Sequence, residues 1–244
     1  MYNFLMKLRK LLLLAAVPLL LAAPALCGEW VVEHTTYYIT ADQQQLPDFP
    51  PPPAPGSPAD RADLKAVFDW QVKHTEAQCE AVRAQRYARF NEFFGDISPF
   101  PSPLPEEAEA VFKRVRKETD GVVVYLKERF NRPRPFLRDP ALQPCAGRDG
   151  GLSYPSGHST ISRVFGLILS DLVPARRTEF MKRADQAALN RVIGGVHHPS
   201  DIEAGKKLGD LLYAKYRKSK TFQADMKELK RLLAKPAAAA KAAR

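Results

Sequence analysis

From about residue 60 to residue 234, apolar side chains recur at three- and four-residue spacing, in stretches separated by prolines and short polar breaks. That period puts apolar groups on one face of an α-helix, and it does not match the two-residue alternation of a half-buried strand. Helices are expected over Asp60–Gln78 and Glu80–Phe94, then from Glu106 to about Phe130, where paired glutamates meet the positive end of the helix dipole. Four more are expected at 158–173, 176–195, 200–218 and 221–234. Prolines at 99, 101, 103 and 105, and again at 133, 135, 140 and 144, break the pattern between them. We find no internal repeat, no glycine-rich nucleotide fingerprint and no run of alternating strands. The expected fold class is all-α, a single-domain helical bundle, and 244 residues suffice for one well-buried core.

The formal charge of +10 suggests a polyanion partner until it is located. Residues 1–27 hold three cations and no acid, and residues 214–244 hold ten cations against Asp225 and Glu228, which leaves the body at −1. A basic tail of this kind is more often a solvated end than a binding site, so no specific nucleic acid is expected, and weak contact with a membrane surface through the tail stays open. At the other end, Lys7, Arg9 and Lys10 precede the apolar run Leu11–Leu21, and small residues follow at Ala22, Ala23 and Ala25. This reads as a signal peptide over residues 1–27, and it implies a periplasmic or secreted protein. An uncleaved anchor is the alternative, disfavoured because the run is short for a bilayer and contains Pro18. With Cys27 removed, Cys79 and Cys145 are an even pair in an oxidising compartment; a disulfide is expected, with two separate buried thiols as the alternative. Residues 28–59, with Pro50-Pro51-Pro52-Pro53, read as an extended proline-rich segment, and 235–244 as a disordered, basic, alanine-rich tail.

Three clusters carry chemistry. Lys127 and Arg134, near a helix end and in the following loop, can converge on one anion, Arg as a planar fork and Lys as a compact charge. Alone, such a pair more often just complements a helix dipole. In Tyr154-Pro155-Ser156-Gly157-His158-Ser159, Ser156 is a good N-cap and Gly157 allows a close backbone approach. Together they direct free N–H groups at an anion, with His158 beside it as a proton donor; a capped helix with an incidental histidine is the plainer alternative. The third cluster is Arg191, His197, His198 and Asp201. Ser200-x-x-Glu203 resembles a capping box, placing Asp201 in the first turn of a helix, four residues from His197. A histidine held by a carboxylate through one ring nitrogen presents the other as a nucleophile. The four-residue spacing favours His197 over His198 for that part.

Taken in order, Lys127-x6-Arg134-Pro135, Pro155-Ser156-Gly157-His158 and Arg191-x5-His197-x3-Asp201 resemble the three-part signature of the type 2 phosphatidic acid phosphatase and vanadium haloperoxidase superfamily. The proline-rich segment and Arg134-Pro135-Phe136 look more narrowly like bacterial class A non-specific acid phosphatases. The likeness spans roughly residues 45–215. It implies an acid phosphatase whose helical phosphatase domain is 60–234, acting on small-molecule phosphomonoesters through a phosphohistidine, with no metal and no cofactor. His197 would attack phosphorus, Asp201 would orient it and His158 would protonate the leaving alcohol. Lys127, Arg134 and Arg191 would hold the phosphoryl oxygens, helped by Ser156 and the Gly157 N–H. One departure is Asn190, where the family usually has serine; asparagine still donates a hydrogen bond. The same resemblance keeps two alternatives open, a vanadium-dependent haloperoxidase with the histidine as ligand, and a lipid or isoprenoid (pyro)phosphate phosphatase. Homo-oligomerisation is left open too.

Overall fold

The computed structural model describes residues 35–148 and 150–234, and among them ten α-helices follow one another without a strand. They are α1 (Ala41–Gln45), α2 (Pro58–Lys73), α3 (Glu76–Ala84), α4 (Phe90–Phe94), α5 (Glu106–Phe130), α6 (Pro135–Arg138), α7 (Gly157–Leu172), α8 (Arg177–Ile193), α9 (Pro199–Tyr216) and α10 (Lys220–Ala234). The expected signal peptide and the tail from residue 235 lie outside the described residues. Among those described, no helix is long and apolar enough to cross a membrane.

Several boundaries differ from expectation for local reasons. The proline-rich segment holds a short helix, α1, because Thr40 and Gln43 close a capping box at its start. The single helix expected over Asp60–Gln78 is two helices. Thr75 accepts from the Gln78 N–H while the Gln78 side chain accepts from the Thr75 N–H, so α3 starts anew after α2 ends at Lys73. The helix expected over Glu80–Phe94 is also split. After α3 the chain turns through residues 85–89, with Ala88 in the left-handed region at φ 51°, before α4 begins.

α5 is the longest element. Its first turn carries Glu106, Glu107 and Glu109, its last turn Lys127 and Arg129, and Asn131 closes it in the left-handed conformation that asparagine tolerates. α7 is buried over most of its circumference and packs chiefly on α8 and α9, with α5 beside it. An aromatic cluster of Phe90, Phe112 and Phe165 fills the space between α4, α5 and α7, with the first two rings 3.9 Å apart. The apolar face of α10 joins the main core through Phe222, Leu229 and Leu232, and Arg114 of α5 pairs with Asp225 at 2.7 Å. The basic C-terminal helix therefore shows its charged face outward. Cys79 and Cys145 form a disulfide, tying α3 to the loop before α7, where Ala146 N–H donates to the carbonyl of Gly194.

The approach of α9 to α7 depends on glycine. A Cβ on Gly205 would lie 2.7 Å from both the Ser156 carbonyl oxygen and Ser159 Cβ, and one on Gly209 would lie 2.7 Å from Arg163 Cβ. Gly205→Ala is expected to cost about 1–3 kcal/mol through overpacking, lowering Tm by roughly 3–10 °C. Gly121→Ala, at a helical site with nothing within 4 Å of the added carbon, serves as the control. It should gain up to about 1 kcal/mol from helix propensity. Thermal melts followed by circular dichroism check both signs.

Candidate active site

Two breaks between helices build the site. The α8 helix ends at Ile193, and a Gly194-Gly195 turn reverses the chain, with the Arg191 carbonyl accepting from the N–H groups of Val196 and His197. His198 and Pro199 then open α9, and Asp201 lies in its first turn. The capping differs from the expected Ser200–Glu203 box. His198 is the N-cap, and Asp201 accepts its backbone N–H at 2.8 Å, because Pro199 takes the first helical position and moves the cap two residues back. Ser156 caps α7 by accepting from the Ser159 N–H, and its own N–H donates to the Asp201 carbonyl. The two helix starts that carry the histidines and the carboxylate are thus bonded to each other.

Lys127, Arg134, Gly157, His158, Arg191 and His197 line one pocket of about 260 Å³, together with Arg86, Tyr87, Arg116 and Asp120. Ser156 and Asp201 are fully buried behind that lining. Backbone carbonyls hold two of the cations in place. Lys127 Nζ donates to Leu152 at 2.7 Å, and Arg134 donates to Val196 at 2.8 Å and to Gly150 at 3.3 Å. Burial pushes the Lys127 ammonium down to about 8, and the nearby Arg134 charge adds to the effect.

Spacing alone does not separate the adjacent histidines. Both Nδ1 atoms face Asp201 Oδ2, His198 at 3.0 Å and His197 at 3.4 Å. Their other nitrogens differ. His198 Nε2 meets the Arg138 guanidinium at 2.9 Å on the side away from the pocket, whereas His197 Nε2 is 3.2 Å from Arg134 Nη1 at the pocket wall. With the Nδ1 proton directed at the carboxylate, the His197 Nε2 lone pair faces the cations. Burial holds the His197 imidazole well below its ordinary range, reinforced by Arg134. Burial lowers His158 in the same way, with Arg191 adding to it, and its Nε2–H donates to the Gln85 carbonyl at 2.9 Å. For Asp201, burial by itself would favour the neutral acid. The hydrogen bonds from His197 and His198 outweigh it and hold the carboxyl well below the usual carboxylate range.

Sequence reasoning missed the groups behind Asp201. Arg132, buried, donates to Asp201 Oδ1 at 2.7 Å, Asp63 at 2.8 Å and Asp60 at 3.0 Å. Ser153 Oγ donates to Asp201 Oδ2 at 2.5 Å, and Arg138 bridges Asp60 and His198. Arg132 stands two residues before Arg134 in the same loop, the one signal available; nothing marks Asp60 and Asp63 as inward-facing acids. Asn190 does not line the pocket. Its amide donates to Gln85 Oε1 at 2.8 Å and its oxygen accepts from Gln186, so it steadies the residue whose carbonyl holds His158.

Residues 119–215 match the family model of the PAP2 superfamily. The chain is 29% identical over 216 residues to an acid phosphatase of Zymomonas mobilis subsp. mobilis, covering 82% of this chain and 79% of the relative. It is 27% identical over 194 residues to a non-specific acid phosphatase of Salmonella typhi, covering 75% and 77%. A lipid A 1-phosphatase of Rhizobium johnstonii matches at 35% over 88 residues, 34% of this chain and 36% of that one. Among solved structures, a bacterial vanadium-dependent iodoperoxidase superposes with a TM-score of 0.54 at 19% identity, covering 74% of this chain, which spans about half (54%) of that longer one. That likeness concerns the fold alone. The matched region contains Lys127, Arg134, the Ser156–His158 turn, Arg191 and the His197–Asp201 start of α9: the chain carries a PAP2 superfamily domain and, over three quarters or more of its length, is similar to bacterial acid phosphatases.

Proposed function

We infer that this phosphatase hydrolyses phosphomonoesters through a phosphohistidine, without a metal ion, in the periplasm or outside the cell. One observation carries the reading: two buried arginines, the half-buried Lys127 and His197 share one small pocket with His158. A phosphoryl group in that pocket meets positive charge from Lys127, Arg134 and Arg191, and phosphoryl transfer depends chiefly on such positioning and charge neutralisation. His197 Nε2 attacks phosphorus as the bond to the leaving oxygen breaks, and Asp201 steadies the imidazolium that forms. His158 gives its proton to the departing alkoxide. Water then attacks phosphorus as the bond to His197 Nε2 breaks, with His158 taking a proton from the water and passing it to the departing phosphate, which restores both rings. The Gly157 N–H at the start of α7 supports the same oxyanion. The donor set argues for metal independence. Asp120 is the one carboxylate among the lining residues, and His74, Cys79 and Cys145, the one metal-ligand group among the described residues, is committed to the disulfide.

The pH dependence follows from the directions of shift. His197, held well below its ordinary value, stays neutral in mild acid and remains nucleophilic there. His158 is also depressed, so its proton comes with the substrate, whose second ionisation lies near pH 6 for a phosphomonoester. Above that pH the dianion arrives without a proton. Above about 8 Lys127 loses its charge as well. Thus kcat/KM should be highest below about pH 6, fall as pH rises through it, and fall again above about 8. Steady-state assays across pH, in chelator, test this reading. A profile that climbs through pH 8, or activity lost to chelator and restored by zinc or magnesium, overturns it. Vanadate is a tetrahedral oxyanion and suits the same donors, so its inhibition distinguishes nothing; halide oxidation with vanadate and peroxide is the measurement that would favour the haloperoxidase alternative.

A further inference from the structure

A second and larger cavity, about 640 Å³, adjoins the catalytic pocket, and the two share Arg116 and Asp120 in their walls. Its floor is apolar, formed by Phe90, Phe112 and Phe165, and one wall is the face of α5 that leads from Lys113 through Arg116 and Asp120 to Lys127. Those positions are three, four and seven apart, so the cavity and the catalytic lysine lie along one stripe of a single helix. The 11 residues from Arg116 to Lys127 span about 16 Å of axis, within reach of a substrate longer than phosphate itself.

The charge of this region stands out against a body whose formal charge is −1. Arg89, Lys113, Arg116 and Lys117 border the larger cavity, against Glu109 and Asp120, and Glu109 is already paired with Lys113 at 2.9 Å. Arg89 lies over the Tyr87 ring at 4.8 Å, on the turn that carries the left-handed Ala88. Arg116 is the singular member. Half-buried at the junction of the two cavities, its Nε is shielded from solvent without a hydrogen-bond partner, and among the described residues its guanidinium makes no ion pair. Asp120 lies beside it, raised by burial against the pull of Arg116 and Lys127, and forms no ion pair with it. A donor such as Nε that is shielded and unpartnered is costly unless an acceptor completes it.

We propose that the larger cavity is a leaving-group subsite that takes phosphomonoesters carrying a second anionic group, with Arg116 as the specificity-determining residue that receives that group. The proposal rests on the phosphatase reading above. The scissile phosphoryl enters among Lys127, Arg134 and Arg191, the carbon skeleton lies over the phenylalanine floor, and the second anion meets Arg116, with Lys113 and Lys117 at the rim. The subsite adds ground-state affinity remote from phosphorus, so its contribution appears in KM.

The test compares fructose 1,6-bisphosphate with fructose 6-phosphate on the intact protein. Wild type should show a kcat/KM about tenfold or more higher for the bisphosphate, the worth of one charge-assisted contact, and the advantage should shrink in salt. Arg116→Gln should erase it, raising KM for the bisphosphate by about tenfold more than KM for fructose 6-phosphate. Lys117→Gln, at an exposed position that does not threaten folding, should reduce the preference by about twofold. Equal efficiency on the two sugars in wild type, or Arg116→Gln lowering both alike, overturns the subsite and leaves the phosphatase reading standing. Absence of turnover on both sugars and on p-nitrophenyl phosphate overturns the reading on which the subsite rests.

Discussion

His197→Ala is expected to lower kcat by on the order of 10⁴-fold or more, the loss typical of deleting a catalytic nucleophile, while the helical circular dichroism spectrum stays unchanged. Among the groups lining the pocket, His197 offers an imidazole nitrogen that faces the three cations and has its tautomer set by a carboxylate. The neighbouring His198→Ala is the informative comparison. Its ring reaches the same carboxylate at a shorter distance but is turned toward Arg138 behind the site, so turnover should fall by about tenfold at most, through the loosened Asp201. Rapid acid–base quench with labelled substrate should trap a base-stable, acid-labile phosphoenzyme in wild type and in His198→Ala, and none in His197→Ala. The reverse pattern would assign the nucleophile to His198 and would falsify the mechanism given above.

Arg132→Ala should be the most destabilising single change outside the apolar core, by about 3–5 kcal/mol, the usual cost of removing one partner from a buried ion cluster. Against a total stability of about 5–15 kcal/mol, that is a large fraction. The guanidinium touches Asp60, Asp63 and Asp201, all buried, and its loss leaves Asp63 and Asp201 without an arginine and Asp60 with Arg138 alone. Urea unfolding followed at 222 nm measures the effect. A change under about 1 kcal/mol would mean that the acids find water or other donors, as exposed pairs do. The cluster also sets the response to acid. Asp60 and Asp201 are held below the unfolded carboxylate value, so the stability they contribute is present above about pH 4 and is lost as pH falls through their lower folded values. A protein working in mild acid gains from that ordering, because the scaffold of the nucleophile titrates below the working range.

The long elements were legible from periodicity and caps. α5 runs over the expected residues, and α7 through α10 start within a residue or two of expectation. The misses fell where a short-range cap overrode the apolar pattern. Thr75 starts a helix in the middle of an expected one, and Pro199 takes the first helical position that Ser200 was expected to precede. The turn at residues 85–89 had no strong marker, since Ala88 holds a left-handed conformation that favours glycine or asparagine. It is nevertheless the turn that carries the Gln85 carbonyl to His158 and Tyr87 to the pocket mouth.

Residue types at fixed spacings were sufficient to name the fold class, the three clusters that meet at one pocket and the pairing partners available to two cysteines, because helical period and local hydrogen-bond reach are properties of short stretches. What faces what was decided by the packed chain. The inward turn of Asp60 and Asp63, the choice of nitrogen on each of two adjacent histidines, the retreat of Asn190 from the pocket and the unpartnered Nε of Arg116 each depend on groups between 4 and more than 100 residues away. Such contacts exist once α9 closes on α7 through Gly205 and Gly209, and no local pattern in the chain encodes the direction of a buried charge.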